Sequence, residues 1–138
     1  MGRKLSKVEH HMRPLEECRL AEDTLTVREV FIGVSRPGRR SGAVLLIDPQ
    51  GKLTGIFTDS DLSRLLEQRR DVLLDGPIRD VMTHRPATVM IGTPLSVAVS
   101  LMAERKISEL PVLDVQEQPI GLIDVTDLVG LLQAEEGK

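Results

Sequence analysis

The sequence predicts an α/β fold, of the α+β type, made of two tandem β-α-β-β-α repeats packed as a pseudo-twofold pair. Three observations carry this. Gly55-Ile56-Phe57-Thr58-Asp59-Ser60-Asp61-Leu62 ends an apolar run, turns at a glycine and launches a helix with two acids in its first turn. Sixty-six residues on, Gly121-Leu122-Ile123-Asp124-Val125-Thr126-Asp127-Leu128 does the same, so Gly55 matches Gly121, Asp61 matches Asp127 and Leu62 matches Leu128. Finally, 138 residues suit one compact domain or two small fused halves. Each half has one sheet face and two amphipathic helices, too little to bury alone, so a shared core is expected.

Composition sets the outer limits. Apolar residues make up 41% of the chain and charged residues 28%, an ordinary balance for a globular protein. A formal net charge of −3 gives no global pull towards nucleic acid or an anionic membrane. No apolar run approaches the roughly 20 residues that span a bilayer. The basic stretch Met1–Lys7 has no apolar segment behind it and does not read as a secretory signal. Cys18 stands alone, which excludes an internal disulfide and fits a reducing cytoplasm. Phe31 and Phe57 are the only aromatics, which argues against base stacking on single-stranded nucleic acid.

Residues 1–9 read as a polar leader, 10–70 as the first repeat, 71–77 as a linker, 78–133 as the second repeat and 134–138 as a tail. His10-His11-Met12-Arg13-Pro14 opens the first repeat. Asp23 or Thr24 is the expected N-cap of a helix whose apolar stripe is Val27, Val30, Phe31 and Val34, with Arg28 and Glu29 outside. Pro37 and Gly38 end it. Ala43 to Ile47 reads as a buried strand, Asp48-Pro49-Gln50-Gly51 as a turn, Lys52 to Phe57 as the next strand, and Thr58 onward as a helix with Leu62, Leu65 and Leu66 inward. In the second copy Thr93 caps a helix with Pro94 at its first position, and Leu95, Ala98, Val99 and Met102 face inward. Strands follow at Leu110–Leu113 and Ile120–Ile123, then a helix with Leu128, Val129, Leu131 and Leu132. Leu25 matches Leu95 at a spacing of 70, whereas Asp48 matches Asp114 at 66. The first copy therefore carries four extra residues in its Arg36–Arg40 loop, a cheap place for an insertion.

A helix, two strands and a helix, used twice, with Gly-x-x-Thr-x-x-Asp at the last strand–helix junction, resembles the tandem cystathionine-β-synthase (CBS) domain pair, or Bateman module, over about residues 8–133. More narrowly, Gly55 to Leu62 and Asp80-Val81-Met82-Thr83 resemble the C-terminal regulatory module of bacterial arabinose-5-phosphate isomerases, in which a sugar-isomerase (SIS) domain comes first. The resemblance implies a regulatory piece of a larger aldose–ketose isomerase with no catalysis of its own, no covalent cofactor, homodimerisation through the helices near Thr58 and Asp124, and an adenosyl nucleotide or sugar nucleotide as effector in an inter-repeat cleft. Carried over residue by residue, Asp61 would hold ribose hydroxyls and Thr58 would lie near phosphate, with walls from Ala87, Thr88, Val89, Ile107, Ser108 and Glu109. The second cleft would use Asp124 and Asp127, walled by Cys18, Arg19, Leu20, Ser41, Gly42 and Ala43. Asp124 departs from the pattern, which wants Thr or Ser; it puts a second carboxylate beside Asp127 and disfavours phosphate there unless Arg39 or Arg40 offsets the charge. A purely structural dimerisation module with no ligand is the alternative.

Each residue also has a plainer reading. Thr58-x-x-Asp61 is a capping box by spacing, although a helix N-terminus also attracts phosphate. Arg36, Arg39 and Arg40 can meet an anion or simply form a solvated basic loop. One of Asp59 and Asp61 caps while the other reads hydroxyls, which leaves no catalytic pair. His10, His11 and His84 have no ligand-like company, and His10 and His11 point to opposite faces if extended. Cys18 reads as a buried structural thiol.

Overall fold

The computed structural model describes residues 6–33 and 42–129. Val34, Arg36, Arg39, Arg40, Ser41, Leu131 and Leu132 lie outside the described residues. The chain forms two compact units, one from Glu16–Pro86 and one from Met1–Leu15 with Ala87–Lys138.

The unit Glu16–Pro86 contains β2 (Arg19–Glu22), α1 (Val27–Gly33), β3 (Ala43–Ile47), β4 (Leu53–Thr58), α2 (Asp59–Glu67) and β5 (Thr83–His84), following β1 (Arg13–Pro14) in the other unit. Its sheet runs β2-β3-β4-β5, with β2 parallel to β3 and the other pairs antiparallel. The helix stripe is present, with Val27 and Val30 fully buried against Val44, Leu46 and Phe57. The cap is Thr26, not Asp23 or Thr24. Its Oγ1 accepts the Glu29 N–H at 3.0 Å, and Glu29 Oε1 accepts the Thr26 N–H at 2.8 Å. Only Thr26 has an acid three residues on to close a capping box; Asp23 instead accepts the Thr54 hydroxyl. On α2 Leu65 is buried, but Leu66 is 49% exposed and does not face the core. The expected linker is a 3-10 helix, Asp71–Asp75, whose Leu73 and Leu74 pack on this unit's core.

The second unit holds β1, β6 (Val89–Met90), α3 (Leu95–Arg105), β7 (Glu109–Leu113) and β8 (Pro119–Asp124), with residues 125–129 helical. Its sheet runs β1-β8-β7-β6. The register shift between Leu46 and Ile47 recurs between Val112 and Leu113, at the same place in each repeat. The turn acids repeat as well, Asp48 and Asp114 each accepting two backbone N–H groups. Pro94 stands one step outside α3 as its N-cap, and Thr93 gives no side-chain cap; its carbonyl accepts the Val8 N–H at 2.9 Å. Val99 is 43% exposed, and half-buried Leu101 packs inward in its place.

The compact units do not follow the repeat limits 10–70 and 78–133. The start of the chain belongs with the second repeat, and residues 78–86 belong with the first. Nor are residues 6–9 a loose leader. Val8 is fully buried in the second unit's core, and Glu9 Oε1 accepts the Gly92 N–H at 2.9 Å, which holds the Glu9 carboxyl below its usual range. His10 closes the 3-10 helix Val8–His10 rather than lying in an extended strand.

This exchange explains the matched glycines. β1 crosses β8 with Pro14 opposite Gly121, and β5 crosses β4 with His84 opposite Gly55. A Cβ on Gly121 would stand 2.5 Å from the Arg13 carbonyl oxygen and from the Met12 sulfur, whereas the atoms nearest to one on Gly55 all belong to the flexible Met82 side chain. Backbone cannot yield as a thioether can. Gly121→Ala should therefore cost about 3 kcal/mol and Gly55→Ala about 1 kcal/mol in chemical denaturation. The reverse order would refute this account.

Candidate functional site

In the unit Glu16–Pro86 the glycine-ended strand β4 delivers Thr58 to the helix start in extended geometry, φ −106 and ψ 165. Its Oγ1 accepts the Asp61 N–H at 3.1 Å, and Asp61 Oδ2 accepts the Thr58 N–H at 2.9 Å, a complete capping box. The other Asp61 oxygen accepts from Arg64 Nη1 at 2.9 Å, an exposed pair three residues apart on one helix. Asp59 faces a different cation. Arg19, 3% exposed, donates from Nη1 to Asp59 Oδ1 at 3.1 Å, and its guanidinium lies 4.9 Å from the Phe31 ring centroid. The Asp59 N–H bonds the Gly42 carbonyl at 2.7 Å, and Ala43 pairs with Thr58. Arg19, Gly42, Ala43, Thr58 and Asp61 thus gather at one end of this sheet. Leu20 is half-buried on β2, and Cys18 is buried just before it. A cavity of about 230 Å³ beside α2 is lined by Asp61, Arg64, Gln68, Arg70 and Asp80, among others.

In the other unit the matching junction is built differently. Asp124 is buried, and its Oδ1 accepts both the N–H and the hydroxyl of Thr126, at 2.9 and 2.7 Å. It therefore caps its helix, as its place at the strand end requires. Asp127 is held by Arg13, with Nε to Oδ2 at 2.8 Å and Nη2 to Oδ1 at 3.3 Å, while the same Nη2 lies 3.9 Å from Asp124 Oδ2. Among the described residues the cation between the two carboxylates is Arg13; Arg39 and Arg40, the offsets considered from the sequence, lie outside the described residues. The Val125 N–H bonds the Ser108 carbonyl at 2.9 Å, matching the Asp59–Gly42 bond, and Glu109 pairs with Asp124. Val89 is buried in this unit's core, with half-buried Ala87 and Ile107 packed against it; Thr88 is half-buried.

Sequence reasoning missed Arg13. The available signal was the match of Met12-Arg13 to Met82-Thr83, which the Gly121 and Gly55 crossings make visible. Among the described residues no group of three His, Cys, Asp or Glu side chains is placed to hold a metal, and no helix is long and apolar enough to cross a membrane. His10 Nδ1 accepts the Lys7 N–H at 3.3 Å, and His84 Nε2 lies 2.6 Å from the Arg79 carbonyl oxygen.

Residues 78–134 match the model of the CBS domain. The chain is similar to the arabinose 5-phosphate isomerase KdsD of Pseudomonas aeruginosa, 34% identical over 119 residues, which takes in 78% of this chain and 36% of the isomerase. It thus spans well under half the length of that curated relative. Among solved structures it resembles CBSX2 of Arabidopsis thaliana in complex with AMP, at 25% identity and a TM-score of 0.74, over 94% of this chain and 98% of that one. The CBS domain pair of MJ0100, in complex with 5′-methylthioadenosine and S-adenosyl-L-methionine, shares the fold at 21% identity and a TM-score of 0.77, over 95% and 98% of the two chains.

Proposed function

The chain is a CBS domain pair, distantly homologous to the C-terminal region of arabinose 5-phosphate isomerases, and from that premise we propose that it is a sensing module that takes an adenosine-type nucleotide at the Thr58–Asp61 junction. The observation that carries this reading is the state of Asp61. One of its oxygens serves the cap, while among the described residues the other meets only the 60%-exposed Arg64. A surface pair of that kind contributes about 0–1 kcal/mol and yields easily to a ribose diol. Thr58 sits at the start of α2, where the helix dipole favours phosphate. In this reading AMP-bound CBSX2 is an analogue, and the parent protein is an isomerase interconverting arabinose 5-phosphate and ribulose 5-phosphate, controlled through this module.

Thermal unfolding against AMP, S-adenosyl-L-methionine and a sugar-nucleotide panel tests the proposal. A ligand at a hundred times its Kd adds about 2.7 kcal/mol, a rise of roughly 8 °C for a chain of this size, and Asp61→Ala should remove it. No rise with any member of the panel would sink the reading.

A second reading, dimerisation without a ligand, is favoured by one feature. An apolar groove of about 290 Å³ runs along α1 and α2, lined by Val27, Phe31, Ile32, Leu62, Leu66 and Leu74, with Ile32 74% exposed. A dimer in sedimentation, with no ligand-dependent rise in unfolding temperature, would support it.

A further inference from the structure

We infer that Arg13 decides which of the two junctions takes the nucleotide: it closes the Asp124–Asp127 junction with its own guanidinium and leaves the Thr58–Asp61 junction open, so that the chain binds one nucleotide and not two. This rests on the sensing role proposed above and adds the specificity within it.

The register makes the two junctions comparable residue by residue. Arg13 stands opposite Leu122 on β8, and Thr83 stands opposite Ile56 on β4, the same position of each repeat. A threonine there cannot reach the helix start; an arginine can. In the second unit the guanidinium grips both Asp127 oxygens and lies against Asp124, with side-chain exposures of 10%, 21% and 7% for Arg13, Asp127 and Asp124. A ribose diol would meet the same carboxylate through O–H···O⁻ bonds that are charge-assisted as well. It would first have to break the forked pair of a guanidinium only 10% exposed, and separating a buried ion pair is strongly unfavourable. Ribose therefore competes poorly with Arg13 for Asp127. In the first unit the buried guanidinium goes elsewhere, from Arg19 to Asp59, and Asp61 keeps an exposed partner on its own helix. Asp124 and Arg13 act together. The carboxylate that replaces the motif's hydroxyl calls for a cation, and the cation that answers it occupies the diol-reading acid.

Titration calorimetry with AMP counts the sites. The wild-type chain should bind one AMP. Asp61→Ala should weaken that binding at least a hundredfold, and Asp127→Asn should change it less than twofold. The double variant Arg13→Thr with Asp124→Thr rewrites the junction as Gly-x-x-Thr-x-x-Asp with threonine at the crossing, and should gain a second site. Two sites in the wild type, loss of binding in Asp127→Asn but not in Asp61→Ala, or one site in a cooperatively folding double variant would each overturn the inference. No binding by the wild type with one site in the double variant would refute the Thr58–Asp61 assignment and uphold the role of Arg13; no binding by either would refute both. If the double variant fails to fold, the wild-type count with the two single variants decides alone.

Discussion

A chain that begins at Glu16 should lose the cooperative folding of the unit that carries β6, β7 and β8, while the unit Glu16–Pro86 keeps its own sheet. Val8 is 0% exposed in a core with Leu95, Ala98, Leu110 and Ile123, and its burial contributes about 1.5–3 kcal/mol. The same segment accepts the Leu95 N–H on the Ser6 carbonyl at 2.8 Å, ties Val8 N–H to Thr93, and supplies Glu9 to the Gly92 N–H. It also provides β1, the edge of the sheet beside β8, and Arg13. A unit of this size holds roughly 3–10 kcal/mol in all, at 0.05–0.15 kcal/mol per residue, so the sum of these losses is of the same order as its stability. A fragment of residues 78–138 lacks the same parts and should fail in the same way, unfolded or self-associated. Hydrogen exchange reads the result: the amides of β7 and β8 should lose protection. A truncated chain with those amides still protected, and a melting temperature within about 5 °C of the full chain, would defeat this account.

How much of this was legible follows from where each signal lies. Thr58 and Asp61 were readable because a capping box is local: a hydroxyl and an acid three positions apart. Asp48 and Asp114 were readable for the same reason. Thr26 was missed because Asp23 and Thr24 offer equally good cap chemistry just before it, and only Glu29 distinguishes them. Val99 and Leu66 were misplaced because apolar periodicity marks a stripe without showing its edges. The exchanged strands were out of reach. β1 and β5 are two residues each, too short for any alternation, and their partners lie far away in sequence. Arg13 was hidden the same way, since nothing local connects it to an acid 114 residues further on. The second junction therefore read as two uncompensated acids, when the fold brings the compensating charge to it.

That compensation makes Arg13→Ala the costliest single substitution expected at either junction. It would leave Asp124 and Asp127, 7% and 21% exposed on their side chains, facing each other without the guanidinium. Removing one partner of a buried ionic group costs about 3–5 kcal/mol, because the remaining charge stays desolvated. Asp127 is open enough to recruit water, and Asp124 keeps its bonds to Thr126, so the lower end applies, about 3 kcal/mol. The helix N-terminus offsets only about 0.3–1 kcal/mol of this. Urea denaturation should show the loss, with a melting temperature lower by roughly 10 °C. Two companions separate charge from packing. Arg13→Ala combined with Asp127→Ala should recover part of the loss, because the uncompensated acid is gone, and the cycle should give a coupling above about 1 kcal/mol. Arg64→Ala, which breaks the corresponding but exposed pair on Asp61, should stay within about 0.5 kcal/mol of the wild type. Equal costs for Arg13→Ala and Arg64→Ala would show that the two junctions are electrostatically alike, contrary to the geometry of Arg13.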